Sequence, residues 1–302
     1  GLLLGKTDVE CNKALICHDV TDEIIDEALN NKCQLIISYH PLIFKSLKKI
    51  HYEDRIGRII TKMIENKLSL YSIHTSFDNL KNGLNFELGK ILKLQNQKKL
   101  IPKKNSLMKL TSYVPNGYID IVLNSLYEAG AGEIGNYSNC SFSAKGEGRY
   151  LGSKESNPRF GNKEELTKTS EILISLIFPS HRKKKIIQSL INSHPYESVA
   201  YEITNIENKN PDLGLGSIGV LPISMTEKKF LEYLKNKLPV SVLRHSKFTK
   251  NKIKIVSVLA GSGAFAIDSA INNKADAFIT GDLKYHDFFK SDNKILLVDA
   301  GH

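Results

Sequence analysis

The sequence predicts an α/β protein: a two-part α/β core with a mostly parallel sheet, interrupted by a ferredoxin-like α+β insertion domain. Three observations predict it. Short apolar runs alternate with amphipathic stretches at both ends of the chain, the pattern of βαβ units. The middle of the chain carries an internal repeat of strand, helix, strand. And several apolar runs of the flanking parts end in histidine and aspartate, where open parallel sheets bind ligands.

In order, "KALIC" reads as a strand and is followed by "DVTDEIIDEALNN", where Asp19 or Thr21 can cap a helix with Ile24, Ile25, Ala28 and Leu29 on one face. "QLIIS" is a second strand. "RIGRIITKMIENK" is a helix with Ile56, Ile59, Ile60, Met63 and Ile64 inward, and "LSLYSI" a third strand. After the middle region the same pattern resumes with "KIVSVLA", "GSGAFAIDSAINNKA", "AFIT" and "ILLVD".

The repeat pairs "LTSYVPNGYIDIVLNSLYEAGAGEIGNYS" with "LISLIFPSHRKKKIIQSLINSHPYESVAYEI". Pro115 to Tyr137 and Pro179 to Tyr201 are both 22 residues apart, with an apolar-periodic helix between. Two tandem βαβ copies make a ferredoxin-like sandwich. The stretch "GRYLGSKESNPRFGNKEE" is a loop by its Gly, Ser, Asn and Pro content. Residues 1–106 and 223–302 are therefore assigned to a discontinuous core, and 107–222 to the insertion. At 302 residues the chain is long enough for both.

Composition excludes several classes. No run of about 18 apolar residues exists, so no transmembrane helix is expected. No signal peptide is visible, and the start without Met is read as missing native sequence. Four cysteines stand singly without a CxxC pair, which argues against a disulfide framework or thiolate zinc and fits a reducing, cytoplasmic setting. The net charge of +10 could suggest nucleic acid, yet only six of 42 basic residues are Arg. Arg is the preferred bidentate phosphate ligand, and the basic clusters lack interleaved aromatics, so solvated lysine faces are the better reading.

The polar strand endings carry the chemistry. "LIIS" runs into Tyr39 and His40; "LYSI" into His74 and Asp78; "AFIT" into Asp282 and His286; "LLVD" into His302. One such ending is unremarkable, but four in one sheet point to a site. His40, His74, Asp78 and His302 offer imidazole nitrogen and carboxylate oxygen, the donor mix for zinc, iron or manganese. Such a set supports metal-assisted hydrolysis. Taken singly, each has a plain alternative: His40 capping a strand, His74 and Asp78 paired in a loop, Asp282 bonding its own turn, His302 a frayed end. It is their joint occurrence that favours a metal site.

Other candidates weigh less. His18 has helix-cap neighbours, and His51, His181 and His245 lie in polar surroundings. His194 aligns with Gly130 in the repeat, so an inserted turn accounts for it. "GLGSIG" opens no helix and is rejected as a dinucleotide loop. "AGSGAF" either binds an anion at a helix start or permits close packing.

"GLLLG", "IISYHPLIF", "SIHTSFDN", "HPYESVAYEI", "GLGSIGVLP", "ITGDLKYHD" and "VDAGH" occur in the order found in the GTP cyclohydrolase I type 2 homologues, also called Ngg-interacting-factor-three-like proteins, which this sequence resembles over essentially its whole length. The resemblance implies a CutA/PII-like insertion, a dinuclear site for one or two divalent metal ions per subunit, a toroidal homohexamer, and by name a hydrolase of a small molecule. The implied metal ligands are His40, Asp78 and His302. A further Glu is implied four residues after His302, where this sequence has stopped, and is read as lost to truncation. His74, Asp282 and His286 are the implied catalytic residues around the metals. Many members have His-His-Pro where this chain has Tyr39-His40-Pro41, so Tyr39 stands at a weaker, second-metal position. A non-enzymatic metal-binding or regulatory scaffold is the alternative, and nucleic acid is disfavoured as a partner.

Overall fold

A computed structural model describes residues 1–302. The chain divides into two compact units, Gly1–Ile101 with Gly214–His302, and Pro102–Leu213. The boundaries expected after residues 106 and 222 fall earlier. The reason is that "GLGSIGVLP" is not the end of the insertion but part of a long strand of the core.

The first unit opens with β1 (Leu2–Leu4), β2 (Ala14–Cys17), α1 (Asp22–Asn30), β3 (Leu35–Ser38), α2 (Arg55–Glu65), β4 (Ser69–Ser72), α3 (His74–Asn79), α4 (Leu84–Ile91) and β5 (Gln95–Pro102). Strands β2, β3 and β4 are parallel and in register, with Cys17 beside Ser38 and Ser38 beside Ser72. Ile25 and Ala28 of α1 and Ile59, Ile60 and Met63 of α2 pack on Ile36 and Leu70, as the 3.6-residue spacing dictates. Thr21, not Asp19, caps α1, its hydroxyl accepting from the Ile24 amide.

The second unit runs β6 (Leu107–Pro115), α5 (Ile119–Glu128), β7 (Phe142–Leu151), β8 (Leu166–Pro179), α6 (Lys183–Ser193) and β9 (Tyr201–Asn205). Its sheet has the order β7-β8-β6-β9 with antiparallel pairing throughout, the ferredoxin-like arrangement expected of the repeat. Two details differ. Tyr137 forms only an isolated bridge with Ile134, and the first copy's closing strand begins at Phe142. Gly148–Leu151, expected in a loop, extend that strand, because ten ladder pairs with β8 hold β7 to its end.

The chain then returns to the first unit with β10 (Gly214–Thr226), α7 (Glu227–Lys237), β11 (Arg244–His245), β12 (Lys252–Ser262), α8 (Ile267–Asn272), β13 (Ala277–Gly281) and β14 (Leu296–Asp299). These form a six-stranded sheet, β11-β14-β13-β12-β10-β5. β12, β13 and β14 are parallel, and their side chains alternate between two cores. Ala277, Ile279, Leu296 and Val298 face α7; Phe278 and Leu297 face α8. Burial on both faces is why these strands read as unbroken apolar runs. The lysine-rich "QNQKKLIP" is the edge strand β5, where Lys guards an open ladder.

The strand endings thus belong to two sheets rather than one. β3 and β4 end in the four-stranded sheet, β13 and β14 in the six-stranded one.

In the second unit His194 is buried, its Nε2–H donating to the Tyr113 carbonyl (3.0 Å) and its Nδ1 accepting from the Tyr196 amide (3.2 Å). Burial holds its pKa below the ordinary 6.5. The unfolded chain therefore binds the proton first, so this contribution to stability is complete above about pH 6.5 and is lost as pH falls. Thermal melts between pH 7.5 and 5 are expected to show a falling Tm that a His194→Gln variant flattens.

Candidate metal centre

The register of the four-stranded sheet builds half of the site. Beyond the last ladder pairs, the Tyr39 amide donates to the Cys17 carbonyl (3.0 Å), His40 to His18 (2.9 Å) and His74 to Tyr39 (3.0 Å). Three strand ends thereby set His18, Tyr39, His40 and His74 side by side. Ring centroids lie 4.5 Å apart for His18 and His40 and 5.6 Å apart for His40 and His74. His18 stacks on Tyr39 at 5.3 Å with an interplanar angle of 8°.

The six-stranded sheet supplies the other half. β13 ends at Gly281, where any Cβ would stand 2.4 Å from the Gly301 carbonyl oxygen, so only glycine lets the two chains pass. Asp282 follows with φ +57°, a conformation that aspartate tolerates. It accepts from the Ser262 hydroxyl and, at 2.6 Å, from His302 Nδ1. "AGSGAF" serves close packing: Gly261 lies against the His302 ring, and its carbonyl accepts from the Thr280 hydroxyl.

The halves meet at His40 and His302, whose Nε2 atoms are 3.3 Å apart. His40 Nδ1 donates to Asp19 Oδ1 at 3.0 Å. Hydrogen bonds from His40 and then His18 hold the Asp19 carboxyl below its usual range, as those from Ser262 and then His302 hold Asp282. Both acids are thus ionised and only accept. The ionised carboxylates place a proton on each Nδ1, so in the neutral imidazoles each Nε2 turns a lone pair toward the other. Such a pair accommodates a shared proton or a cation between the two nitrogens. Two imidazoles on one tetrahedral ion, at about 2.0–2.1 Å each, stand about 3.3–3.4 Å apart. The residues fit a divalent metal.

His18, Asp19 and His40 also offer donor atoms within 4.8 Å of one another, a group that could hold a metal ion. There an ion would displace the Nδ1 protons that Asp19 now accepts; between the two Nε2 atoms it displaces nothing.

Asp78 sits on α3 and is buried. Its Oδ1 accepts from the Tyr39 hydroxyl at 2.7 Å. Burial first, then this bond and the Asp78 charge, push the Tyr39 phenol well above its ordinary pKa of 10. Tyrosinate ligation, one way to complete a second metal position, is correspondingly disfavoured. His286 packs with Tyr285 and Phe289 in its own turn, not among the rings around His40. His18 and Asp19 were passed over as capping residues. The signal that finds them is a fifth polar ending, that of "KALIC", next to "LIIS" in a parallel sheet.

The family model for Duf34/NIF3 (NGG1p interacting factor 3) matches residues 1–302. A Bacillus subtilis protein described as a GTP cyclohydrolase 1 type 2 homolog is 37% identical over 306 residues, covering all of this chain and 82% of its own length. The crystal structure of a Bacillus cereus protein related to NIF3 is similar with TM-score 0.83 and 38% identity, over all of this chain and 81% of that one. A Staphylococcus aureus protein structure gives TM-score 0.73 and 28% identity, over all of this chain and 80% of that one.

Removing a carboxylate that orients a ligating histidine typically costs 10–100-fold in metal affinity. Asp19→Asn is expected to weaken zinc binding about tenfold or more while leaving the melting curve of the metal-free protein in place, as a chelator-competition titration would measure.

Proposed function

Because the chain belongs to the Duf34/NIF3 family, we propose that its core unit binds a divalent metal through His40 and His302 and acts as a metal-dependent hydrolase on a small molecule. The observation that carries the reading is the pair of Nε2 lone pairs 3.3 Å apart, each with its Nδ1–H tied to a carboxylate. Zinc, iron and manganese all suit such donors. When bound, such an ion supplies a Lewis acid and an acidified water.

The chain's own groups divide the remaining work. Asp19 and Asp282 orient the two imidazoles. His74, edge-on to both His40 and Tyr39, is within reach to hold or pass a proton beside the ligands. Asp78 completes the ligand set or a second metal position, with Tyr39 as its hydrogen-bond donor. His286 belongs to the wall of the site at most.

The relatives' description names a GTP cyclohydrolase, so GTP is the first substrate to assay, by formate release. Purified chain is expected to carry at least one equivalent of metal, and His40→Ala and His302→Ala to lose it. Unchanged metal content in both variants would sink the site. Metal without formate release, and with no turnover across a broad substrate screen, would move the reading to a metal-binding or regulatory scaffold. The Tyr39–Asp78 bond favours that second reading, since it engages a carboxylate that a second ion needs.

Association into a homohexamer is part of the same proposal. Support comes from Phe44, Leu47, Ile50 and Tyr52, which are exposed on one short segment, an apolar density that marks contact surfaces. Light scattering should return six copies of the 33.8 kDa chain. All four cysteines are free, in keeping with a cytoplasmic setting, and no helix is long and apolar enough to cross a membrane.

Tyr39 supplies a separate test. Tyr39→His replaces a protonated phenol with an imidazole donor, and metal content measured by mass spectrometry is expected to rise by up to one equivalent per chain. No rise would show that Tyr39 does not limit the second position.

A further inference from the structure

The sheet of the second unit has two faces, and its helices cover one. Ile172, Ile174, Leu176 and Phe178 of β8 join the core against α5 and α6. Odd-numbered residues of β8 point the other way. On that face lies a cavity of about 790 Å³ bounded by β7, β8, residues 151–159 and residues 196–198. Its volume is that of small-molecule sites, about 300–1,000 Å³.

The floor has been stripped of side chains at one place. Gly146 stands opposite Glu171, and Gly148 opposite Thr169. A Cβ at Gly146 would meet no atom within 4 Å, whereas one at Gly148 would stand 2.3 Å from the Glu171 carboxylate. Glycine inside a strand weakens it unless something approaches closely there. Glu171 itself is only 7% exposed. Its Oε1 accepts from the Tyr196 hydroxyl (2.7 Å) and the Thr169 hydroxyl (3.1 Å), while Oε2 receives no protein donor. No lysine or arginine pairs with it. The space in front of Oε2 is the cavity, so its donor comes from whatever fills the cavity.

The remaining walls describe what would supply the donor. Tyr150 packs edge-on against Tyr196 at 5.9 Å, making an aromatic side that Phe160 backs from outside the cavity at 6.2 Å. Arg159 lines the cavity, one of its guanidinium N–H groups donating to the Tyr118 hydroxyl at 3.0 Å; Arg149 stands opposite Lys168 on the other face of the sheet and pairs with Glu147 at 2.8 Å. A buried acceptor, an aromatic wall and a guanidinium group suit one ligand with an N–H-bearing ring and an anionic tail.

We propose that this cavity binds a nucleotide, with a base N–H on Glu171 Oε2, the base against Tyr196 and the phosphates at Arg159. The site is separate from the core's histidines and does not depend on the function proposed for them.

Competition against a fluorescent N-methylanthraniloyl-GTP, with GTP, ATP and guanosine as unlabelled probes, tests it on the full chain. Saturable micromolar binding is expected. Glu171→Gln and Gly146→Val should each weaken it at least tenfold. Arg159→Ala should weaken GTP more than guanosine, and the titrations are run in chelator so that the core's metal site takes no part. Gly146→Val puts its side chain into open space, so circular dichroism should show an intact fold even where Glu171→Gln unfolds. No saturable binding by any probe overturns the proposal. So does binding that Gly146→Val leaves intact.

Discussion

Two carboxylate–imidazole hydrogen bonds, Asp19 to His40 and Asp282 to His302, govern the whole of the core site. A neutral imidazole can present either nitrogen as donor, and in water the choice is nearly free. Here each ionised carboxylate fixes the proton on Nδ1 and so points a bare Nε2 outward. The two Nε2 atoms belong to residues 262 positions apart. Nothing local can bring them to 3.3 Å; only the placement of two separate sheets can. The apolar runs behind them, buried on both faces in β13 and β14, keep that placement rigid.

The fold was largely legible because its signals are periodic. Helix α2 shows its inward face as Ile56, Ile59, Ile60 and Met63, while Ile64, also expected inward, is exposed, and the repeat shows its two halves by length. What periodicity does not carry is which strands share a sheet, and so the four endings were read into one sheet when they occupy two. His40, His74 and His302 were legible as strand endings. His18 and Asp19 were not, because the "HDVT" that follows β2 is also what a capped helix looks like. Only register shows that Cys17 lies beside Ser38, which carries His18 and Asp19 to Tyr39 and His40. His286 was legible as part of the same pattern, and its turn packs its ring against Tyr285 and Phe289.

Tyr39 makes the site unequal about His40. On one side, Asp19 leaves the imidazole's outer nitrogen bare. On the other, the Tyr39 phenol gives its proton to Asp78, and burial makes that proton harder to remove. An ion arriving at Asp78 finds Oδ2 without a protein donor but shares the carboxylate with the Tyr39 hydroxyl on Oδ1. An ion arriving between His40 and His302 meets two imidazole nitrogens whose carboxylate partners lie on the far side of each ring.

The same accounting sorts the molecule's buried acids, which are Asp78, Glu171, Glu227 and Asp299. Glu227 takes the Thr249 amide and hydroxyl on one oxygen and the Lys250 amide on the other. Asp299 takes the Leu283 amide and Arg244 on one oxygen and the Gly301 amide on the other. Both are saturated by donors of the fold itself, so they are tie points, even though Asp299 closes the strand that leads to His302. Asp78 and Glu171 differ, each with one oxygen supplied and the other without a protein donor. No buried polar side-chain atom lacks a partner where water is fully excluded. The two open oxygens are therefore reachable from outside, one on the carboxylate that holds the Tyr39 hydroxyl and one facing a ligand-sized cavity. A carboxylate that the fold has buried but not satisfied is where a ligand supplies the missing donor or charge, and this chain has one such carboxylate in each of its units.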